Sequence, residues 1–339
     1  MRIAIYGAGS LGTILGAYLE KDGLSVDLFT RNKAHVDAMN EYGAKVTGTV
    51  DFTQKVKAYT PDMMEGMYDI IFLLTKQLEN RSTAEFLKDH LSPDGALCTL
   101  QNGLPEYDLI EILGKDRVCG ATVGWGATLE GPGISRLTSS PDSLTFGMGD
   151  IEGFPHEKLV KVSEILSRMG TVENEENFIG ARWTKLLINS VFSGMGTVIG
   201  GTFGDVTKDK EARNIAQYAL KECVDVGKKM GVEFAKIQGF DVVKLMYFSN
   251  PLKKTVASLI MPIAMKKHKD IEPSMLQDLK KGKPCEIDAI NGEISRYGDI
   301  TNTDTPVNDM IVEIIKEYQK TDKIAGKESL KRFAEIIGK

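Results

Sequence analysis

The chain is poor in the residues that hold small or specialised proteins together. Its 339 residues include four cysteines, Cys98, Cys119, Cys223 and Cys285, which are far apart and form no CxxC pair. That excludes a zinc ribbon and offers no disulfide framework of the secreted kind. The four histidines, His35, His90, His156 and His268, are scattered and expected at the surface, so no metal site is legible. No long apolar run is present. The best stretch, 186–201, is interrupted by Asn189, Ser190, Ser193 and Thr197 and falls short of the ~20 residues a membrane span needs. It reads as a buried helix, and no membrane partner is expected. Charge of one sign is lacking too: 42 Lys+Arg stand against 47 Asp+Glu, a net −5, which argues against nucleic acid as a partner. The first strand signal starts at Arg2, with no room for a leader ahead of it, and a cytoplasmic enzyme is expected.

What is present is enough chain for two domains, long enough to bury roughly three-quarters of its unfolded surface. The N-terminal half alternates. Residues 2–6 and 25–29 read as strands; 13–22 and 34–42 read as helices ending at Gly23 and Gly43. A short β segment around 45–57 precedes 69–74, an almost wholly apolar run suited to the middle of a covered parallel sheet. Helix 79–90 and strand 95–100 follow, then strands at 118–128 and 134–147, the latter as an antiparallel extension. After residue 155 the periodicity is helical, with only Thr171–Val172 as a strand. Helices are expected at 156–169, 177–199, 209–230, 239–248, 274–281, 285–298 and 306–320, and a packed last helix within 321–339. The fold class is therefore α/β, a doubly wound sheet followed by an all-helical domain, divided as 1–175 and 176–339.

The first chemical motif is Gly7-Ala8-Gly9-Ser10-Leu11-Gly12, a GxGxxG between the first strand and first helix. Its glycines permit a tight turn, close approach to a pyrophosphate and close helix–strand packing, and the helix N-terminus attracts phosphate. In this setting it marks a Rossmann-type dinucleotide site. At the end of the second strand an NAD enzyme places an acidic residue; here Thr30 and Arg31 stand there, with Lys33 nearby and Asp27 only mid-strand. A guanidinium suits a 2′-phosphate, so NADP(H) is the expected cofactor, although Arg31 could also be an ordinary surface arginine. Lys76 and Asn102 follow apolar strands at the edge where open α/β sheets bind ligands, and are candidates for the cofactor phosphate or ribose and for the nicotinamide side. Asn102-Gly103 is also a common turn pair.

The helical half opens with Arg-Trp-Thr-Lys-Leu-Leu-Ile-Asn (182–189). At 100° per residue Lys185, Asn189 and Ser193 fall within about 80° of one another, a polar stripe on an apolar helix. A lysine there needs a partner or ligand if buried, or snorkels to water. Ser274 and Glu286 belong to the next candidate, 273–292. Gly282 ends one helix, Pro284 suits the first turn of the next, and Glu286 would share that turn, where the helix dipole favours a carboxylate.

Together, GAGSLG, QNG (101–103), GATLEGPG (126–133), WTKLLIN (183–189) and SMLQD…EIDAING (274–292) resemble the ketopantoate reductase family along nearly the whole chain. The resemblance implies NADPH-dependent reduction of the 2-keto group of ketopantoate to D-pantoate, towards pantothenate and coenzyme A. It implies Lys185 as general acid and Glu286 as its positioning carboxylate. Asn102, Asn189 and Ser274 become substrate-binding or site-ordering residues, with Ser193 beside them. The chain departs from the family pattern at Ser193, where an asparagine is usual, at Glu79, where glutamine is usual, at Gly124-Trp125-Gly126, and at 139–142. The alternatives are reduction of another 2-oxo acid, for which Ser193 and Trp125 would reshape the acyl pocket, and a non-catalytic NADP-binding protein. A homodimer through helical faces is compatible with the composition, and no pattern locates its interface.

Overall fold

Residues 3–6, Ile-Ala-Ile-Tyr, form β1 and are buried on both faces. The strands that follow in the computed structural model are β2 (Val26–Phe29), β3 (Ala44–Gly48), β4 (Phe52–Gln54), β5 (Lys57–Tyr59), β6 (Tyr68–Leu73), β7 (Leu91–Thr99), β8 (Val118–Val123), β9 (Ala127–Gly131), β10 (Ile134–Leu137), β11 (Thr145–Gly149) and β12 (Thr171–Asn174). The structure describes residues 1–151, 153–237, 239–321 and 325–338. These fall into two units, Met1–Gln101 with Pro105–Phe178, and Asn102–Leu104 with Ile179–Lys339.

In the first unit, six parallel strands lie in the order β5-β2-β1-β6-β7-β8. Counted along the chain this is 3-2-1-4-5-6, the order of a dinucleotide-binding sheet, with its switch point between β1 and β6. The alternation of β1 explains the layers: Ile3 and Ile5 enter one apolar cluster, Ala4 and Tyr6 the other, as opposite faces of one strand must. Helices α1 (Ser10–Lys21), α2 (Lys33–Tyr42), α3 (Asn80–Lys88), α4 (Glu106–Leu113) and α5 (His156–Leu166) complete the unit. Residues 118–128 and 134–147 are not single strands. Each breaks at its turn residues: β8 and β11 pair antiparallel in the large sheet, while β9 and β10 join β3 and β4 in a four-stranded one. The segment 45–57 splits between the same two sheets.

His35 is not a surface residue. It is buried; its Nδ1 accepts the Gly133 N–H at 2.8 Å and its Nε2 lies 2.9 Å from the Thr13 hydroxyl. Accepting at Nδ1 puts the proton of the neutral ring on Nε2, and burial lowers the pKa, so the ring ties α1, α2 and the β9–β10 turn together as a neutral clamp.

The second unit is helical. α6 (Phe178–Ile188) runs into a π-helical segment, Asn189–Gly194, and then α7 (Met195–Ile199). The helix expected over 177–199 is thus present but widened in its middle. The remaining helices are α8 (Phe203–Lys208), α9 (Lys210–Lys229), α10 (Val242–Met246), α11 (Pro251–Ala264), α12 (Ser274–Lys280), α13 (Ile287–Thr301), α14 (Pro306–Lys320) and α15 (Ala334–Ile337). The segment expected as one last helix is 3₁₀ over Lys327–Phe333 before α15, with Leu330 and Phe333 buried; its residues 322–324 and 339 lie outside the described residues. A polar chain fixes the centre. Glu222 on α9 accepts the Val307 and Asn308 N–H groups at the start of α14 and the Asn308 amide. Asn291 on α13 donates to Asn308 Oδ1 and to the Ser190 carbonyl in the π segment. Burial lifts the Glu222 pKa to about 7.

Candidate active site

At the C-terminal end of β1 the chain turns sharply, and the Phe29 carbonyl accepts both the Gly7 and the Ala8 N–H, at 2.9 and 2.8 Å. Gly7 has φ +110°, and a Cβ there would run into the Thr75 nitrogen and lie 2.5 Å from the Leu74 carbonyl carbon. Gly12 touches the same turn, since its Cβ would be 2.5 Å from the Gly7 oxygen. Around Gly9 there is nothing within 4 Å of a Cβ. The first and third glycines are therefore demanded by packing, while the second leaves an opening before α1, with Ser10 and Leu11 opening the helix. That helix has no side-chain cap at its N-terminus and no acidic residue in its first turn, so its positive end suits a phosphate. The residues fit a dinucleotide's pyrophosphate.

At the tip of β2, Arg31 meets a competitor. Its guanidinium lies 2.7 Å from the Glu79 carboxylate, which precedes α3, and both side chains are exposed. Lys33 pairs with Asp37 on its own helix. Asp27 is occupied inside the sheet unit by the Tyr68 hydroxyl and Arg2. Lys76 is half-buried in the β6–α3 loop, and Asn102 sits half-buried in the turn after β7, just before Gly103 with φ +76°. Between them lies a residue the sequence reading passed over. Gln101 is 4% exposed, and its amide donates to the Thr75 carbonyl and to Asn80 Oδ1, both at 2.8 Å, while Thr99 donates to its Oε1. It locks the ends of β6 and β7 beside Gly7; its position at a strand's C-terminal end was the available signal.

In the helical unit, Trp183 is fully buried against Phe234 and Tyr297 of α13, and Thr184 donates to the Gly180 and Ala235 carbonyls. These anchors fix the rotation of α6 and so the direction of Lys185. Lys185 is largely withdrawn from water; burial, with the like charge of Arg182 adding to it, lowers its pKa to about 7. Asn189 and Ser193 both fall in the π segment, Asn189 half-buried and Ser193 buried. An i→i+5 turn advances less than 100° per residue, so the stripe swings back towards the Lys185 side rather than drifting from it. α12 and α13 both pack on this segment: Pro273 lies against Gly196, and the Asn291 amide lies against Gly194. Ser274 and Glu286 stand at the N-terminal ends of those two helices. Glu286 stands at the N-cap position of α13 rather than in its first turn, and Pro284 lies outside the helix, because no helix forms between Gly282 (φ +62°) and Ile287. The helix-end electrostatics are unchanged by that shift.

Trp125 is 6% exposed and packs edge-on against Phe146 in the core of the sheet unit. Among the described residues no group of three or more His, Cys, Asp or Glu could hold a metal ion, and no helix is long and apolar enough to cross a membrane.

Residues 3–150 match the family model described as Ketopantoate reductase PanE/ApbA, and residues 177–319 match that of its C-terminal part. The chain belongs to the ketopantoate reductase PanE/ApbA family. The 2-dehydropantoate 2-reductase of Pyrococcus abyssi is 30% identical over 322 residues, 93% of this chain and 97% of the relative. Among solved structures, D-mandelate dehydrogenase with NADH and anilino(oxo)acetate matches with a TM-score of 0.80 at 22% identity, over 94% of this chain and 99% of that one. A PanE/ApbA family ketopantoate reductase from Ralstonia eutropha JMP134 matches with 0.79 at 24%, with the same coverage. A dimeric ketopantoate reductase from Staphylococcus aureus matches with 0.72 at 19%, over 95% and 100%. The ketopantoate reductase family thus accounts for both units of this chain, the sheet and the helices.

Proposed function

We propose that the protein is an NADPH-dependent 2-dehydropantoate 2-reductase, reducing the 2-keto group of ketopantoate to D-pantoate in the cytoplasmic route to pantothenate and coenzyme A. The observation that carries this reading is Lys185: an ammonium held by burial near neutral pKa, on the helix whose polar stripe continues through Asn189 and Ser193. When bound, NADPH supplies the hydride that adds to the keto carbon. The Gly7–Gly12 turn and the N-terminus of α1 would hold its pyrophosphate, Lys76 a phosphate or ribose, Asn102 the nicotinamide side and Arg31 the 2′-phosphate. Lys185 gives a proton from Nζ to the carbonyl oxygen as negative charge develops there, and a group with pKa near the working pH does this best. Glu286 orients the ammonium and the substrate; Asn189, Ser193 and Ser274 bind the remaining polar atoms. We read the enzyme as a homodimer, in line with the dimeric Staphylococcus aureus relative.

A second reading has an observation of its own. D-mandelate dehydrogenase shares this fold, and Ser193 puts a shorter side chain beside Lys185's stripe, so a different 2-oxo acid is the rival substrate. Consumption of NADPH with ketopantoate, 2-oxoisovalerate and pyruvate decides between them. A kcat/KM for ketopantoate orders of magnitude above the others is expected; comparable values on all three would overturn the ketopantoate assignment and leave the reductase.

Cofactor preference gives a separate prediction. Arg31→Ala should raise the KM for NADPH roughly tenfold or more, the scale of a lost charge-assisted hydrogen bond, and leave NADH nearly unchanged. Glu79→Gln should lower the NADPH KM by no more than about fivefold, because an exposed ion pair contributes little. Equal losses with both cofactors in Arg31→Ala would remove Arg31 from the 2′-phosphate.

A further inference from the structure

Helix α11 is apolar on two opposite faces. One face, with Ala257 and Met261, is buried against α8 and α9. On the other, Leu252 is 77% exposed, Val256 49%, Leu259 68% and Ile263 73%. At 100° per residue these four fall within about 60° of one another. They form a single solvent-facing seam three turns long, and large apolar side chains so aligned mark an interaction surface rather than scattered exposure. A helix apolar on both sides is one that is covered on both sides.

The spacing suits a second copy of the same helix. The intervals from 252 to 256, 259 and 263 are four, three and four residues, the same read in either direction. Two copies of α11 laid antiparallel about a twofold axis through the middle of the helix set Leu252 against the partner's Ile263 and Val256 against the partner's Leu259. Every apolar side chain then meets an apolar one with no shift of register. Self-complementarity of this kind is what an isologous contact requires. The four side chains expose on the order of 500 Å² of surface, most of the ~800 Å² each partner contributes to a standard interface. Charge adds a signature. α11 carries no acidic residue, and Lys253, Lys266 and Lys267 are exposed at its ends, so two copies repel weakly at the rim while the seam attracts.

We infer that this seam is the face through which two copies of the chain associate; the inference rests on the homodimer reading above and gives it a location. The test is the mass of the full-length protein by sedimentation across a concentration series, at low and high salt, for the wild type, Leu259→Lys and the control Ile300→Lys on the exposed side of α13. The wild type should be dimeric and its association should tighten with salt, as lysine repulsion is screened. Leu259→Lys should weaken dimerisation about a hundredfold, since each change occurs twice across the axis, with an unchanged far-UV spectrum; Ile300→Lys should behave as wild type. A milder Leu259→Ser should fall between them and covers the case of a poorly folded lysine variant. A wild type that stays monomeric throughout overturns both the dimer and its seam. A dimer untouched by Leu259→Lys, or one that loosens with salt, overturns the seam while the dimer stands.

Discussion

Lys185→Ala should lower kcat by two to four orders of magnitude, the range a positioned general acid supplies, with the affinity for NADPH unchanged. Wild-type kcat/KM should be level below pH 7 and fall about tenfold per pH unit above it, because the amine held near pKa 7 by its surroundings loses the proton it must give. The variant should lack that limb. The same shift has a stability consequence whose sign is fixed. The folded-state pKa lies below the ordinary lysine value of about 10.4, so between the two the unfolded chain binds more protons and stability rises with pH. Below about pH 7 the charged amine sits in the fold at its full desolvation cost. Lys185→Met should therefore unfold at a higher temperature than wild type at pH 6, while being almost inactive. Near-normal turnover in Lys185→Ala, or a flat wild-type profile through pH 7–9, would remove Lys185 from the chemistry.

The glycine turn gives the second large contrast. Gly7→Ala places a Cβ on the Leu74 and Thr75 backbone at a positive φ, and neither can move without disturbing the central strands. It should destabilise the protein by several kcal/mol, as strain and overpacking add. Gly9→Ala meets no neighbouring atom, so it should unfold at the wild-type temperature. Its methyl group would enter the space proposed for the pyrophosphate, and cofactor KM should rise by one to two orders of magnitude, the effect of displacing a close backbone approach. Thermal unfolding and cofactor titration of both variants check this. Normal cofactor binding in Gly9→Ala would mean that the open space is not where the phosphates lie.

Signals that are local in the chain were legible, and those made by distant pairings were not. The glycine turn, the apolar run of β6 and the WTKLLIN segment each announce themselves within a dozen residues. The Arg31–Glu79 pair spans 48 positions and the His35–Gly133 bond 98, and nothing in either segment points to the other. Helix α4 escaped because the alternating acids of Glu-Tyr-Asp-Leu-Ile-Glu-Ile-Leu blur its period, and α11 because apolar residues on both faces erase the contrast on which helical periodicity depends. Glu286 was located to within one residue of its place, which is the usual error at helix ends.

The widened turn at Asn189–Gly194 makes the polar stripe a matter of counting. A π turn spreads nearly the same rotation over one residue more than an α turn, so the segment holds an extra residue while α6 and α7 keep almost the phase of a regular helix. A chain one residue shorter here would close into α geometry and leave Lys185 where it stands; only the residues of the widened turn, Asn189 and Ser193 among them, would change place. Along this stretch the length of the chain sets the company the lysine keeps.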